Sequence, residues 1–568
     1  MNSILSFYIE ILFNSSNYNY CNLITNSINE YFSCAQNAPK FIYSLLPSLF
    51  EALVYRCILP QECFEAGTLD HYEDKFTLQK FRQSCQDVLL EIATSSIGVY
   101  QTATDLFDIS RKNTSNLSIQ ESVLCLFCGI VDSIEEQLLP VISSSQFDYT
   151  DEIPNRLQKR TDIQVTPLIT DYDSILDFVF QHMEEYSAHP LLLLTALQVM
   201  FSFDEWTFSR GSYCSSLYQF LLTAIPSSPT NVIPRLLRYI SRLFESPCVA
   251  ITSTVVHQLL QLSNFIYSLN NTEILTVFLQ TISTAICYIP GEEAFSLYQE
   301  FLQPFMSPLL SFVSTPVTAE ITEDHQIIAC LKALEACFEG CLVSCLADSL
   351  AEAILPTFQA LITQVVTLHQ QHSTQILTHT ICHVCHAILR AADITFSVHN
   401  TQILNSMSEI LIQSSIAIPD ALEIQDLLVS NSLMNFTLPS LISMITTLQS
   451  LLSYILQNHM IPQELDAVKS IFRIETVVLK EKAEELTSQE SVVLPAIQLV
   501  LQVIHEDICE EDFIRLILRL LTIFMQVRNR SFFVNCRNIP DFCRLCILSI
   551  LVVVSSYQEC QSVVDYML

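Results

Sequence analysis

The residues best suited to chemistry are His369, His372, His379, Cys382, His383, Cys385 and His386. His379, His383 and His386 stand at i, i+4 and i+7, so one helix carries all three imidazoles on one face. Imidazole and thiolate are both good ligands for Zn²⁺. A continuous helix, however, does not bring a C-x-x-C pair onto one tetrahedral ion without a knuckle, and no glycine lies nearby to form one. Cys382 and Cys385 are therefore expected in the core, with the histidines facing solvent or a neighbouring helix.

A second group is basic: Arg515, Arg519, Arg528, Arg530, Arg537 and Arg544. Guanidinium groups could bind an acidic or phosphorylated segment through bidentate contacts. Glu506, Asp507, Glu510, Glu511, Asp512 and Asp541 lie close by in sequence. Arg515 follows Glu511 by four residues, which suits an ion pair within one helix, and local pairing is the preferred reading. Trp206, the single tryptophan, is expected at a packing junction. No G-x-S-x-G, H-E-x-x-H, P-loop or kinase signature is present. No catalytic, cofactor-binding or metal-binding residue is assigned, and no enzyme activity is expected.

The elements that carry these residues are helices. Two patterns between Asp74 and Ile134 set the style of the chain. In the first, Phe81, Cys85, Val88, Leu89 and Ile92 form one stripe of a 3.6-residue period, with Arg82, Gln86 and Glu91 at or beyond its edges. In the second, Val123, Leu124, Phe127, Ile130, Val131 and Ile134 share a face. Ser118 and Glu121 read as an S-x-x-E capping box at its start.

Further helices are expected around Ile4–Phe13, Cys21–Phe32 and Phe41–Arg56, the last bent or divided at Pro47. After residue 174 come Leu191–Phe201, one striped by Tyr213, Leu217, Phe220, Leu221 and Ala224, and one striped by Leu236, Leu237, Ile240, Leu243 and Phe244. Val255, Val256, Leu259, Leu262 and Ile266 mark the next. Then follow Ile274–Tyr288, Ile327–Leu346, Leu350–Leu368, Gln375–Leu389, Ile403–Ile416, Leu438–Leu456, Leu465–Leu486, Val492–Ile508, Asp512–Val527 and Pro540–Ser556. Prolines, among them Pro226, Pro229, Pro247, Pro304, Pro308, Pro316, Pro419 and Pro462, are read as connectors.

Composition supports an all-α chain. Only 6 of 568 residues are glycine, whereas Rossmann folds, P-loops and β-sandwiches need glycine in turns and phosphate loops. Two helices per unit fit the ~40–47-residue period of HEAT and armadillo repeats, giving on the order of a dozen units. Each hairpin is too thin to bury its own stripe and must stack on the next. The expected fold is a HEAT/armadillo-like helical-repeat superhelical solenoid; a large non-repeating helical domain is the alternative. Residues 1–142 are read as N-terminal helical repeats, 143–174 as a loop or disordered insertion, and 175–568 as a helical-repeat solenoid. The insertion has an acidic half (Asp148, Asp151, Glu152) and a basic half (Arg156, Lys159, Arg160).

The formal net charge is −33, from 26 basic and 59 acidic residues. Such a chain repels nucleic-acid phosphate and anionic membrane and favours Arg- or Lys-rich partners; the same acidity also keeps an apolar-rich chain soluble. The 21 cysteines fall mostly among apolar helix residues, as small core side chains do in a reducing compartment. The N-terminus has no basic segment and carries Glu10 inside its apolar run, so it does not read as a signal peptide. Mean hydropathy is +0.38. Yet the apolar run at Cys546–Ser556 is far short of the ~20 residues of a spanning helix, and polar residues and prolines interrupt the uncharged stretch Leu427–Gln463. No membrane insertion is expected.

Glu73-Asp74-Lys75-Phe76, then Phe81-Arg82, then Asp87-Val88-Leu89 resemble the mid-chain of importin-β superfamily nuclear transport receptors. Gln120-Glu121-Ser122-Val123-Leu124, with Phe127 and Ile130, resembles the next helix of the transportin-SR subgroup. The resemblance spans about Tyr72–Ile134. It implies a receptor that shuttles between cytoplasm and nucleus. Its partners would be protein cargo with a basic or Arg-rich segment, the GTPase Ran, and nucleoporins with Phe-Gly repeats. Family members are longer and carry the matched region well inside the chain, so the N-terminal repeats that contact Ran are expected to be missing here. The subgroup's arginine-rich cargo helix has no counterpart mid-chain, and no Ran or cargo residue is carried over. The alternative function is a helical-repeat scaffold or adaptor outside nuclear transport; a membrane-associated helical protein is a third class.

Overall fold

The structure is a computed structural model. It describes most of residues 2–131 and 173–482, and a few positions between 486 and 520. Among the described residues there are 23 α-helices and three 3-10 turns, with no strand. The chain divides into two compact units, Met1–Tyr288 and Ile289–Leu568.

The first unit opens with α1 (Asn2–Asn14), α2 (Tyr18–Cys34), α3 (Leu46–Cys57) and α4 (Gln61–Ala66). Pro47 divides the third expected helix: a 3-10 turn covers Ile42–Ser44, and the proline sits at the start of α3, where no intrahelical N–H is needed. Next come α5 (Lys75–Thr94), α6 (Val99–Lys112) and α7 (Leu117–Cys128), so three helices stand where two were expected. The break between α5 and α6 falls at Gly98, whose φ of 87° suits a residue without a Cβ. The remainder are α8 (Asp173–Gln181), α9 (Met183–Tyr186), α10 (Pro190–Ser202), α11 (Gly211–Ala224), α12 (Ile233–Phe244), α13 (Ser253–Leu260), α14 (Ser263–Ser268) and α15 (Thr272–Cys287). The stripe from Val255 to Ile266 is two short helices, separated by a turn at Gln261–Leu262.

The stripes do bury. Phe81, Cys85, Val88, Leu89 and Ile92 are fully enclosed, as are Leu236, Leu237, Ile240, Leu243 and Phe244. Helix α3 packs on α5 and α7, α7 on α10, α10 on α12, and α12 on α15. That succession places the faces of α5, α7, α10 and α12 along one side of the unit.

The second unit is more regular. Its helices are α16 (Gly291–Ser314), α17 (Gln326–Glu339), α18 (Ser344–His369), α19 (Gln375–Ala391), α20 (Ile394–Gln413), α21 (Ile418–Ser432), α22 (Leu438–Gln457) and α23 (Leu465–Glu481). Consecutive helices pair as antiparallel hairpins, and alternate helices stack. One row runs α16, α18, α20, α22; the other runs α17, α19, α21, α23. Hairpins begin at Gly291, Ser344, Ile394 and Leu438; the last spacing falls within the ~40–47-residue period of HEAT-type repeats and the first two are somewhat longer.

Three expectations fail in this unit. Pro304 and Pro308 are not connectors; they lie inside α16. Pro304 is exposed and Pro308 half-buried, so water can reach the carbonyls that lose their intrahelical donors. The helix expected over Ile327–Leu346 ends at Glu339, with Gly340 as its cap, and Leu346 belongs to α18. Helices α16 and α21 were not expected at all.

Two helices, Leu350–His369 and Leu438–Gln457, are long and apolar enough to cross a membrane; half of each is buried against the rest of the protein. Of the loop or insertion expected over 143–174, residues 143–172 lie outside the described residues and Asp173 and Ser174 open α8. Trp206 and the helices expected over Asp512–Val527 and Pro540–Ser556 lie wholly or mostly outside the described residues, as do Arg515, Arg528, Arg530, Arg537 and Arg544.

Candidate functional site

A groove crosses α5, α7, α10 and α12 in the first unit, with a volume of about 360 Å³. Its base is an ion pair. Arg82 Nη2 donates to Glu121 Oε2, and Thr195 Oγ1 donates to Glu121 Oε1 at 3.2 Å. Three successive helices of the row are thereby joined. The Glu121 side chain is 2% exposed and that of Arg82 11%, so both charges are largely removed from water and each depends on the other. Burial opposes the Arg82 charge, but the surrounding groups, Glu121 among them, hold its pKa raised.

This geometry corrects the reading of Glu121 as half of a capping box. The N-cap of α7 is Asn116, whose side chain accepts from the Ile119 N–H at 3.2 Å. Asn116 has the extended backbone that a cap requires, whereas Ser118 is already inside the helix. Glu121 is turned inward instead. Arg82, placed by its spacing at the edge of a stripe, is likewise drawn in. Their partnership spans 39 residues, and no local pattern announces it.

Beside the pair, α5 and α7 approach very closely. Gln86 Nε2 donates to the Cys125 carbonyl at 2.6 Å, satisfying an acceptor near the end of α7. Behind this line, buried Gln120 accepts from Ser110 Oγ and from Tyr186 Oη, and donates to the carbonyls of Ser110 and Asn113 at 2.8 and 2.9 Å. That network ties α6, α7 and α9 together. Toward the opening the groove presents the amides of Gln79, Gln83 and Gln198, the apolar Leu191 and Leu194, and then Arg235 and Tyr239 of α12. Tyr239 stacks on Phe201 with ring centroids 4.4 Å apart, which holds the phenol at the rim. Amide, aliphatic and aromatic groups in one cleft suit an extended peptide segment. Among the described residues Glu121 is the only carboxylate in the lining, and Arg82 already neutralises it.

The histidine group lies in the second unit on α19. Cys382 and Cys385 are buried in the core. Burial pushes the Cys385 thiol up to about 12 and raises Cys382 well above its ordinary value, so both are protonated packing groups. The imidazoles meet carboxylates of the neighbouring helices in their row. His379 Nδ1 lies 3.0 Å from Asp420 Oδ1 and 3.1 Å from Oδ2. His383 Nδ1 lies 3.2 Å from Glu335 Oε1, and its Nε2 lies 4.0 Å from Asp420 Oδ1. His386 Nδ1 lies 3.4 Å from Glu423 Oε2; burial lowers the pKa of this ring, against the pull of Glu423. His369 stands apart and meets Thr374 at 3.1 Å, while His372 lies outside the described residues. Asp420 and Glu423 sit on α21, the helix that sequence reasoning missed, so two of the three carboxylates of this cluster were missed with it.

No family model and no curated protein sequence matches the chain. Among solved structures, it is similar to importin 13 in its cytosolic state, with 13% identity and a TM-score of 0.61; the match covers 99% of this chain and 60% of that one. Importin-β in an ammonium sulfate condition gives 10% identity and a TM-score of 0.46, covering 99% of this chain and 69% of that one. Yeast importin-β (Kap95p) gives 12% and 0.43, covering 100% and 76%. The likeness to importin 13 shows the fold: the chain is an all-α, HEAT/armadillo-like helical-repeat protein. It spans about 60% of the length of importin 13.

Proposed function

We propose that this chain is a nuclear transport receptor of the importin-β type, nearest in character to the transportin-SR subgroup, which carries protein cargo through nuclear pores under the control of Ran. The observation that carries this reading is the likeness to importin 13 along 99% of the chain. Charge agrees with it: a net charge of −33 draws basic, Arg-rich cargo at long range. The groove over Arg82 and Glu121 seats an extended part of that cargo through its amides and through Tyr239. Exposed apolar side chains on α1 and α2, Phe7 and Leu23 among them, offer contacts for Phe-Gly repeats by burial of phenylalanine. RanGTP releases cargo by favouring a conformation that binds it less well, a coupling between two ligands. Cargo, Ran and nucleoporins are non-covalent ligands in this scheme, and it assigns no catalytic role to any residue. The receptor would move between cytoplasm and nucleus.

The test is a pull-down by the purified chain of a Phe-Gly nucleoporin fragment and a basic cargo peptide, with and without Ran held in its GTP form. Binding of both, with cargo released by RanGTP, supports the proposal. Phe-Gly binding without a Ran effect removes Ran control from it. Binding of neither overturns it in favour of a scaffold or adaptor.

A further inference from the structure

We propose that His379, His383 and Asp420 form a binding site for a divalent metal ion of the zinc class, which staples α19 to α21. One potential ligand atom from each of the three side chains lies within 4.8 Å of the other two. The two imidazoles come from successive turns of one helix, an i, i+4 spacing that lets both rings reach a single ion. The carboxylate comes from the next helix of the same row. Ligands about 2.0–2.1 Å from a tetrahedral Zn²⁺ lie roughly 3.3 Å from one another. His379 Nδ1 and His383 Nε2, at 3.0 and 4.0 Å from Asp420 Oδ1, straddle that spacing. Small turns of two partly exposed rings close the difference.

The surroundings are those of a metal-bound histidine. Glu335 Oε1 on α17 meets His383 Nδ1 at 3.2 Å. It fixes the tautomer in which Nε2 is unprotonated and free to ligate. Asp420 is held, its side chain 18% exposed, whereas those of His379 and His383 are 57% and 44% exposed. An ion therefore enters from solvent and keeps a water as its fourth ligand. Two nitrogens and one carboxylate oxygen suit Zn²⁺, Co²⁺, Ni²⁺ or Cu²⁺ and do not suit Mg²⁺ or Ca²⁺, which take oxygen ligands. Cys382 and Cys385 are buried and stay out of the coordination. Three helices of one row, α17, α19 and α21, then share one ion and its supporting carboxylate. This inference is independent of the transport reading.

The full-length chain is titrated with Co²⁺ under reducing conditions and followed by visible and near-ultraviolet absorption. Thermal unfolding is followed with Zn²⁺ and with Mg²⁺. The expected result is one Co²⁺ bound with d–d bands and no thiolate charge-transfer band, and a Tm raised by Zn²⁺ but not by Mg²⁺. His379→Ala and Asp420→Asn abolish both effects while keeping the metal-free circular dichroism of the wild type. Glu335→Gln weakens binding on the order of 10- to 100-fold. Because His379 is mostly exposed, its variant carries the test even if Asp420→Asn disturbs the helix start. A thiolate charge-transfer band, no binding, or equal binding by wild type and His379→Ala overturns the proposal.

Discussion

Gly129 and Gln86 compete for one space: a Cβ on Gly129 would stand 2.5 Å from Gln86 Cβ and 2.9 Å from its Cα. The close approach of α5 to the end of α7 exists because position 129 has no side chain. Part of the obstruction is backbone, which cannot rotate away. Gly129→Ala is expected to push the two helices apart and to cost about 1–3 kcal/mol, read as a lower urea midpoint with an unchanged slope. Gln86→Ala would leave the Cβ clash in place and so would not rescue it.

The Arg82–Glu121 pair gives a double-mutant cycle. Removing either partner alone leaves a charge in a largely dry site, so Arg82→Met or Glu121→Leu is expected to cost ~3–5 kcal/mol. Replacing both together should recover most of that loss, because two apolar side chains need no partner. Urea unfolding of the four proteins measures the coupling. Near-zero coupling would show that the pair does not act as a unit.

Arg235 stands exposed at the rim of the groove, where it would oppose a basic segment seated over Glu121 as proposed above. Arg235→Glu is expected to tighten binding of an Arg-rich peptide roughly tenfold, about 1.4 kcal/mol, with the gain shrinking as salt is raised. Fluorescence anisotropy with a labelled peptide reads this directly. An unchanged Kd would show that the Arg-rich peptide does not sit in this groove.

Glu475 predicts a pH dependence. It is buried on α23 with no hydrogen-bond partner for either carboxylate oxygen among the described residues, and burial pushes its pKa up to about 8 from an ordinary 4.5. The folded protein keeps this proton up to that pH, whereas the unfolded chain releases it above about 4.5. Between the two values the folded state binds more protons, so stability falls as pH rises and the loss is complete above the folded-state value. The loss is on the order of a few kcal/mol. Thermal unfolding of Glu475→Gln across roughly pH 5 to 9, which spans most of that titration, should lack this decline.

The fold was legible where apolar periodicity repeats. The stripes on α5 and α12 lie buried as their spacing implies, because a 3.6-residue pattern has only one way to face a core. Helix boundaries were hidden where the turn chemistry is silent. The chain passes from α20 to α21 through Ser415 and Ala417, both with positive φ and neither of them glycine. A left-handed turn without glycine or asparagine carries no signal in the sequence, and α21 was lost with it. The candidate sites were legible only by halves. His379 and His383 announce themselves by spacing, but Asp420 lies 41 residues from His379. Arg82 and Glu121 were visible separately, one as an edge residue and one as a cap, and only packing makes them a pair.

The alternate stacking of α16 to α23 has a consequence for how damage spreads. Each helix there rests mainly on the one beside it and the ones two places away, so contacts in this unit stay close along the chain. Such an assembly behaves as a linear chain of coupled springs rather than a solid: a defect in one hairpin loosens its neighbours and fades with distance. A core substitution in α22 or α23 should therefore speed hydrogen exchange in that hairpin and in α20 and α21, and leave the amides of α16 and α17 as protected as before.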